Sequence, residues 1–280
     1  MTRLKTLPAH VVLVVASAYF VLPLVWLVIS ATKGRDELFT TFGFALPEKF
    51  ALVDNVRQTL SYENGIYLRW TANTLLYAGG GALGATALAA MAGYALAKYS
   101  FRGSGLISWV IIGAVLVPVT ALALPLYFLM SEVGLQNTPW AVLLPSLVSP
   151  MGVYLCRLYA ISSVPDEVLE AARMDGASEW RVFRTVVLRI MSPILVTVFL
   201  FQFVAIWNNF FLPLVMLNSR ELFPLTLGLQ DWNTQPQVGN QVIFHLVVTG
   251  AFLAVLPLVV CFLLLQRHWR QGLAQGSVVA

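Results

Sequence analysis

Two short stretches of the chain carry side chains whose types and spacing suit recognition, and neither suits the making or breaking of bonds. The first runs Ser163-Val164-Pro165-Asp166-Glu167-Val168-Leu169-Glu170-Ala171-Ala172-Arg173-Met174-Asp175-Gly176-Ala177-Ser178-Glu179-Trp180-Arg181-Val182-Phe183. Pro165 suits the first position of a helix, and Asp166 and Glu167 complement the positive end of its dipole. Strong helix formers follow as far as Asp175-Gly176, where glycine can take the left-handed conformation that ends a helix and turns the chain. Ser178 is then spaced to cap a second helix carrying Trp180, Phe183, Val186 and Val187. The expected product is a helix, a sharp bend and a second helix. Such a unit either connects and covers neighbouring segments, or presents Ala171, Ala172, Met174 and Ala177, set among charges, as a knob for a partner's groove.

The second stretch is Trp207-Asn208-Asn209, inside an otherwise apolar run. Amides beside an aromatic face suit a polyhydroxylated solute, and a polar group in apolar surroundings is costly unless it finds a partner or a cavity. These three residues are candidates either for lining a translocation pathway or for hydrogen bonding between helices.

Other chemistry is excluded or unsupported. Cys156 and Cys261 lie in apolar runs without C-x-x-C spacing and read as small apolar residues. His10, His245 and His268 are scattered through the chain, which gives no zinc or haem ligand set. No G-x-x-x-x-G-K-S/T phosphate loop occurs, so any nucleotide chemistry belongs to another chain. The chain is read as a non-enzyme with no catalytic residue, metal, cofactor or nucleic-acid partner of its own.

Composition sets the elements that position these residues. Of 280 residues, 59% are hydrophobic and 11% charged, against about a quarter charged in an average soluble domain. The apolar residues gather in runs near the ~20 residues that cross a hydrocarbon core of roughly 30 Å. Membrane lipid is the solvent, and the expected fold class is all-α, a polytopic membrane domain. Six spans are expected, at about 10–31, 71–97, 106–130, 140–159, 193–217 and 242–265, each apolar on nearly every face. Arg3 and Lys5 precede the first, but its apolar run reaches Ile29, longer than the ~7–15 residues of a signal-peptide core, so it is read as retained.

With the N-terminus inside, only Lys33, Arg35, Lys49, Arg57, Arg69 and Arg220 of the 17 Lys and Arg residues fall outside. That bias places both termini in the cytoplasm. No Asp, Glu, Lys or Arg sits within a span away from its ends, which argues against an ion-coupled relay and favours a neutral solute.

Within this frame, residues 32–70 are expected to fold as a small outer cap of short helices, because Phe39, Phe42, Phe44, Phe50, Tyr62 and Tyr67 are unlike a disordered tether. Gly79, Gly80, Gly81 and Gly84 are expected to allow close helix packing, Gly80 and Gly84 forming a G-x-x-x-G pair. Pro118 and Pro125 are expected to kink the third span.

Glu170-Ala171-Ala172, followed by Asp175-Gly176-Ala177 and Pro193, resembles the EAA signature of membrane subunits in binding-protein-dependent ABC importers. The likeness covers nearly the whole chain and narrows to the maltose-type carbohydrate permeases. It is carried by Leu22-Pro23-Leu24-Val25-Trp26 with Lys33, Asn73-Thr74-Leu75, Tyr94-Ala95-Leu96-Ala97-Lys98-Tyr99-Ser100-Phe101-Arg102-Gly103, Gly134-Leu135-Gln136-Asn137-Thr138, Trp207-Asn208-Asn209-Phe210, and Gln266-Arg267 with Gly272-Leu273.

The resemblance implies a type I importer permease. In that architecture the 163–190 loop is a coupling helix seated in a cleft on an ATPase subunit, with Glu170, Ala171, Ala172, Met174, Asp175, Gly176 and Ala177 as coupling positions. It also implies a homologous second permease, two ATP-binding subunits that hold ATP and magnesium, and an extracytoplasmic solute-binding protein. The setting would be the bacterial cytoplasmic membrane and the solute a sugar or sugar-like compound, with a polyol or glycerophosphate-type solute as the alternative. An ion-coupled secondary transporter and a non-transporting scaffold or sensor subunit are the competing classes. Two departures stand out. Arg189 replaces a proline common before the fifth span, and Val278-Val279-Ala280 replaces the usual lysine-glycine ending.

Overall fold

The computed structural model describes the backbone of residues 7–234 and 243–276 and the side chains of 10–234, 243–264 and 266. These residues form helices and turns, with no strand among them. Lipid offers no water to peptide groups, and a helix satisfies them within one segment. In chain order the principal helices are α1 (Leu7–Thr32), α2 (Leu52–Ser61), α3 (Ile66–Leu75), α4 (Gly81–Lys98), α5 (Ser104–Val115), α6 (Ala123–Glu132), α7 (Trp140–Ser146), α8 (Pro150–Ser163), α9 (Asp166–Met174), α10 (Glu179–Val182), α11 (Ser192–Trp207), α12 (Phe211–Met216), α13 (Leu225–Thr234) and α14 (Phe244–Gly276), with single turns at Glu37–Thr40 and Leu188–Ile190.

Four stretches are long and apolar enough to cross a bilayer: His10–Thr32, Leu52–Lys98, Trp140–Ser163 and Phe244–Leu264. Two bent pairs would bring the number to six if each crosses as one. They are Ser104–Val115 with Val119–Glu132, bent by 103°, and Glu179–Ile190 with Ser192–Trp207, bent by 79°. The third expected span is therefore a broken pair of helices, sharper than a kinked rod. Pro118, at ψ 126°, is the break; with no N–H it cannot carry the helical hydrogen-bond ladder onward. Pro125 lies in the first turn of α6, where a missing N–H is harmless. The expected positions Arg3, Lys5, Val242 and Val278-Val279-Ala280 lie outside the described residues, as do the side chains of Arg267 and Leu273.

The chain divides into two compact units, Met1–Arg69 with Gly228–Pro257 and Trp70–Leu227 with Leu258–Ala280. In the first, Lys33 follows α1 and is only 1% exposed. Its ammonium donates to Thr41 Oγ1 at 2.9 Å and to the Phe42 carbonyl at 2.8 Å. Asn55 on α2 donates to the carbonyls of Ala31 at 3.0 Å and Lys33 at 2.8 Å, satisfying orphan acceptors at the end of α1. Ala51 N–H donates to the Thr32 carbonyl at 2.9 Å, so the loop between them leaves and returns at one point. The aromatics do not organise this loop. Phe39, Phe42, Phe44 and Phe50 are exposed, and polar side chains that satisfy backbone carbonyls organise the loop. Tyr67 is buried, donating to the Gly250 carbonyl at 2.8 Å.

In the second unit the tightest seam joins α4 to α8. A Cβ on Gly93 would stand 2.6 Å from Cys156 Cβ and 2.8 Å from Arg157 N, and one on Gly152 would stand 3.2 Å from Ala89 Cβ. Cys156 is fully buried there as a packing residue. The Gly80–Gly84 pair is not the tight point. Gly80 is exposed with only an ordinary neighbour, and Gly84 meets the movable end of Leu147. Gly81 is closer packed, between Ile206 and Ser146.

A second seam holds irregular backbone. Trp70, Asn73, Thr74 and Tyr77 recur on one helical face. Trp70 donates to the Arg220 carbonyl at 2.7 Å, Asn73 to those of Glu221 and Phe223 at 2.8 and 3.1 Å, and Tyr77 to that of Leu222 at 2.9 Å, while Thr74 Oγ1 accepts from Leu225 N–H at 2.7 Å. Asn73→Ala is expected to cost about 1–2 kcal/mol by leaving two carbonyls without their donor. A lowered unfolding midpoint in detergent would register it, and an unchanged midpoint would show those carbonyls to be satisfied by water.

Candidate functional site

The 163–190 segment folds as helix, glycine turn, helix. Pro165 stands one position earlier than its type suggests. With φ −69° and ψ 138° it precedes α9, whose first turn carries Asp166 and Glu167. Gly176 closes α9 at φ +80°. Its N–H donates to the Arg173 carbonyl at 2.9 Å and that of Ala177 to the Ala172 carbonyl at 3.1 Å, the paired bonds of a Schellman ending. Ser178 Oγ accepts from Arg181 N–H and caps α10. The chain continues through Phe183–Val187 and Leu188–Ile190 and turns at the buried Met191, ahead of Pro193. The bend is thus made without a proline at 189, and Arg189 is exposed.

One side of this unit is anchored and the other is open. Leu169, Val182, Phe183 and Val187 are buried in one apolar cluster with Tyr94 of α4 and Tyr159 of α8. Leu169 is 1% exposed, whereas Met174 is 87% and Trp180 62% exposed, with Val168 exposed beside them. Glu170, Ala171, Asp175 and Gly176 share the open side, and Ala172 and Ala177 are half-buried. The arrangement offers a rigid, partly apolar knob on a fixed base.

A polar clasp at the end of α4, which sequence reasoning missed, fixes that base. Lys98 pairs with Asp166 at 2.7 Å. Tyr99 OH donates to Glu179 Oε2 at 2.5 Å, and Arg173 holds the same carboxylate through Nε at 2.7 Å and a terminal nitrogen at 3.2 Å. The Arg173 and Tyr99 bonds hold the Glu179 carboxyl below the ordinary glutamate range. Burial, then the bond to Glu179, raises the Tyr99 phenol above the ordinary tyrosine range. A depressed carboxyl pKa contributes stability above the unfolded glutamate value of about 4.3, and that contribution is lost as pH falls through the folded value. Protection of the 173–181 amides, taken relative to the intrinsic exchange rate at each pH, is therefore expected to fall on acidification, and Glu179→Gln to abolish that fall. An identical acid profile in the variant would remove Glu179 from the clasp.

The amide stretch lies at a helix interruption. Trp207 ends α11, buried, its ring 5.4 Å from that of Phe203. Asn208 is exposed and donates to the Val204 carbonyl at 2.9 Å. Asn209 Oδ1 accepts from Leu212 N–H at 3.3 Å, and its carbonyl accepts from Thr226 Oγ1 at 3.0 Å. Local backbone bonds thus engage both amides, and Asn208 alone of the three is exposed. Nearby, Gln202 donates to Ser149 Oγ, which also accepts from Gly152 N–H at the break between α7 and α8. Sequence reasoning misses that pair; its one sequence signal is Gln202, an amide inside an apolar run.

Residues 72–275 match the family of binding-protein-dependent transport system inner membrane components. The chain belongs to this family. Among its relatives, the arabinooligosaccharides transport system permease protein AraQ of Halalkalibacterium halodurans is 33% identical over 261 residues, 92% of this chain and 91% of its own. The lactose transport system permease protein LacG of Rhizobium radiobacter is 30% identical over 284 residues, 99% of this chain and 97% of its own. The fold matches a chain of a bacterial ABC transporter involved in the import of the acidic polysaccharide alginate. The TM-score is 0.82 with 21% identity, over 95% of this chain and 96% of that one. As an inner membrane component of this family, the chain is part of a transport system, and its helix–glycine–helix segment falls inside the matched region.

Proposed function

We propose that the chain is the transmembrane permease subunit of an ATP-driven importer for a sugar or oligosaccharide. It crosses the membrane six times with both termini cytoplasmic and pairs with a homologous permease. One of two ATP-binding subunits docks on the 163–190 loop, and an extracytoplasmic binding protein delivers the solute. The observation that carries the reading is the exposed face of α9 over its buried anchor Leu169. That face fits helix-in-groove docking, and Glu170, Ala171, Ala172, Met174, Asp175, Gly176 and Ala177 are its coupling positions. Closure of the ATPases moves this rigid base and switches the spans between inward-open and outward-open states. The sugar assignment draws on relatives whose names specify arabinooligosaccharides and lactose. Asn208 is the pathway-facing amide, with Trp207 and Asn209 shaping the interruption that presents it.

The test is purification of the tagged chain in mild detergent. Co-purification of an ATPase and a second permease is expected, with ATP hydrolysis that rises when a binding protein loaded with an arabino-oligosaccharide or lactose is supplied. Folded chain recovered alone, under conditions where related importers stay assembled, would favour a secondary transporter or a scaffold. Stimulation by a polyol or glycerophosphate but by neither sugar would correct the substrate class.

A further inference from the structure

We infer that the cleft between the ends of α4, α5 and α8 binds the phosphate headgroup of an anionic phospholipid in the leaflet on the 163–190 side. Leu96 lies near the end of α4, Ser104 opens α5, and α8 runs from Arg157 to the start of that loop at Ser163, so all three helices offer the same membrane end. The cleft has a volume of about 280 Å³ and is lined by Leu96, Ser104, Ser108, Trp109, Ile112 and Arg157.

Arg157 gives the cleft its charge. It is half-buried, and Nε makes one long bond to the Leu96 carbonyl at 3.4 Å, which steers the guanidinium without neutralising it. Among the described residues no carboxylate pairs with Arg157, although Lys98 and Arg173 each have one. A cation at the edge of the hydrocarbon is costly unless an anion meets it. A guanidinium fork suits phosphate oxygens in particular.

The remaining walls separate a lipid from a free ion. Ser108 Oγ donates to the Ser104 carbonyl at 2.8 Å and keeps lone pairs for a donor, such as a headgroup hydroxyl. Ser104 offers a hydroxyl to a phosphate oxygen. Leu96, Ile112 and the exposed Trp109 form an apolar half that a soluble phosphate would not use, and Leu106 and Val110, exposed on the same helix, extend apolar surface for acyl chains. Tryptophan favours the interfacial depth at which such a headgroup lies, and basic pockets between membrane helices hold anionic headgroups. The inference needs only a membrane-spanning chain, so it stands apart from the importer reading.

The full-length chain in mild detergent can be titrated with phosphatidylglycerol, phosphatidylcholine or inorganic phosphate, with retained lipid read by native mass spectrometry and stability by thermal unfolding. Phosphatidylglycerol is expected to be retained and to stabilise, and Arg157→Gln to weaken it about five- to tenfold. Arg102→Gln, at an exposed arginine, should change it little. If Arg157→Gln fails to fold, Ser104→Ala with Ser108→Ala is expected to weaken retention about threefold. Equal binding of phosphatidylcholine, or full retention in the folded Arg157→Gln or double-serine variant, would overturn the site. Equal protection by inorganic phosphate would overturn the lipid assignment in favour of a free anion.

Discussion

Gly176→Val is expected to leave ATP hydrolysis by the assembled importer running while uptake falls about tenfold. Nothing lies within 4 Å of a Cβ at this position, so the substitution meets no clash. Its effect comes from the backbone. At φ +80° a β-branched residue is strained by about 1–2 kcal/mol or more, and each 1.4 kcal/mol is a factor of about ten in population. The strain is relieved by unwinding the turn, which breaks the Gly176–Arg173 and Ala177–Ala172 bonds and lets α9 tilt off its base. Gly176→Asn, whose side chain tolerates the left-handed region, should retain most coupling. The quantity to measure is solute taken up per ATP hydrolysed in proteoliposomes. A ratio unchanged in the valine variant would mean that the turn does not transmit force.

Gly93→Val is expected to prevent recovery of folded protein, at a cost of about 3 kcal/mol. Here the conflict is steric. Two of the three atoms that a Cβ would meet most closely are backbone, Arg157 N at 2.8 Å and Cys156 C at 3.0 Å, and backbone cannot rotate away as a leucine tip does. Relief requires parting α4 from α8 along the seam that also carries Gly152 against Ala89. Gly79→Val is the matched control, with nothing within 4 Å of its Cβ. Size-exclusion profiles of the two variants compare them directly. Equal monodispersity would show that the seam opens cheaply.

What the sequence discloses here depends on range. The Gly176 turn and the Ser178 cap depend on residues within a few positions, and both are legible. Pro165 is displaced by one residue because proline suits both the first helical position and the extended residue before it. Leu169 is not legible as the anchor, since one leucine among alanines looks the same whether it anchors or is exposed. The Tyr99–Glu179 bond joins positions 80 residues apart, and no local pattern announces it. The Gly80–Gly84 pair matched a spacing rule, yet tight contact fell to Gly93, because which face meets a neighbour is decided by the neighbour. The aromatics of 32–70 do not disclose what organises the loop after α1, which is one lysine and one asparagine binding carbonyls.

The bond between Thr32 and Ala51 has a practical corollary. A loop whose two ends already touch sets no distance between the helices it joins, so its length is free to change without disturbing them. Residues beyond the Lys33 contacts, from Leu46 to Lys49, are largely exposed and make a natural place for an epitope or a fluorescent label, since exposed loop tips tolerate insertion. The same freedom would let related chains lengthen or decorate this tip independently of the membrane-embedded helices.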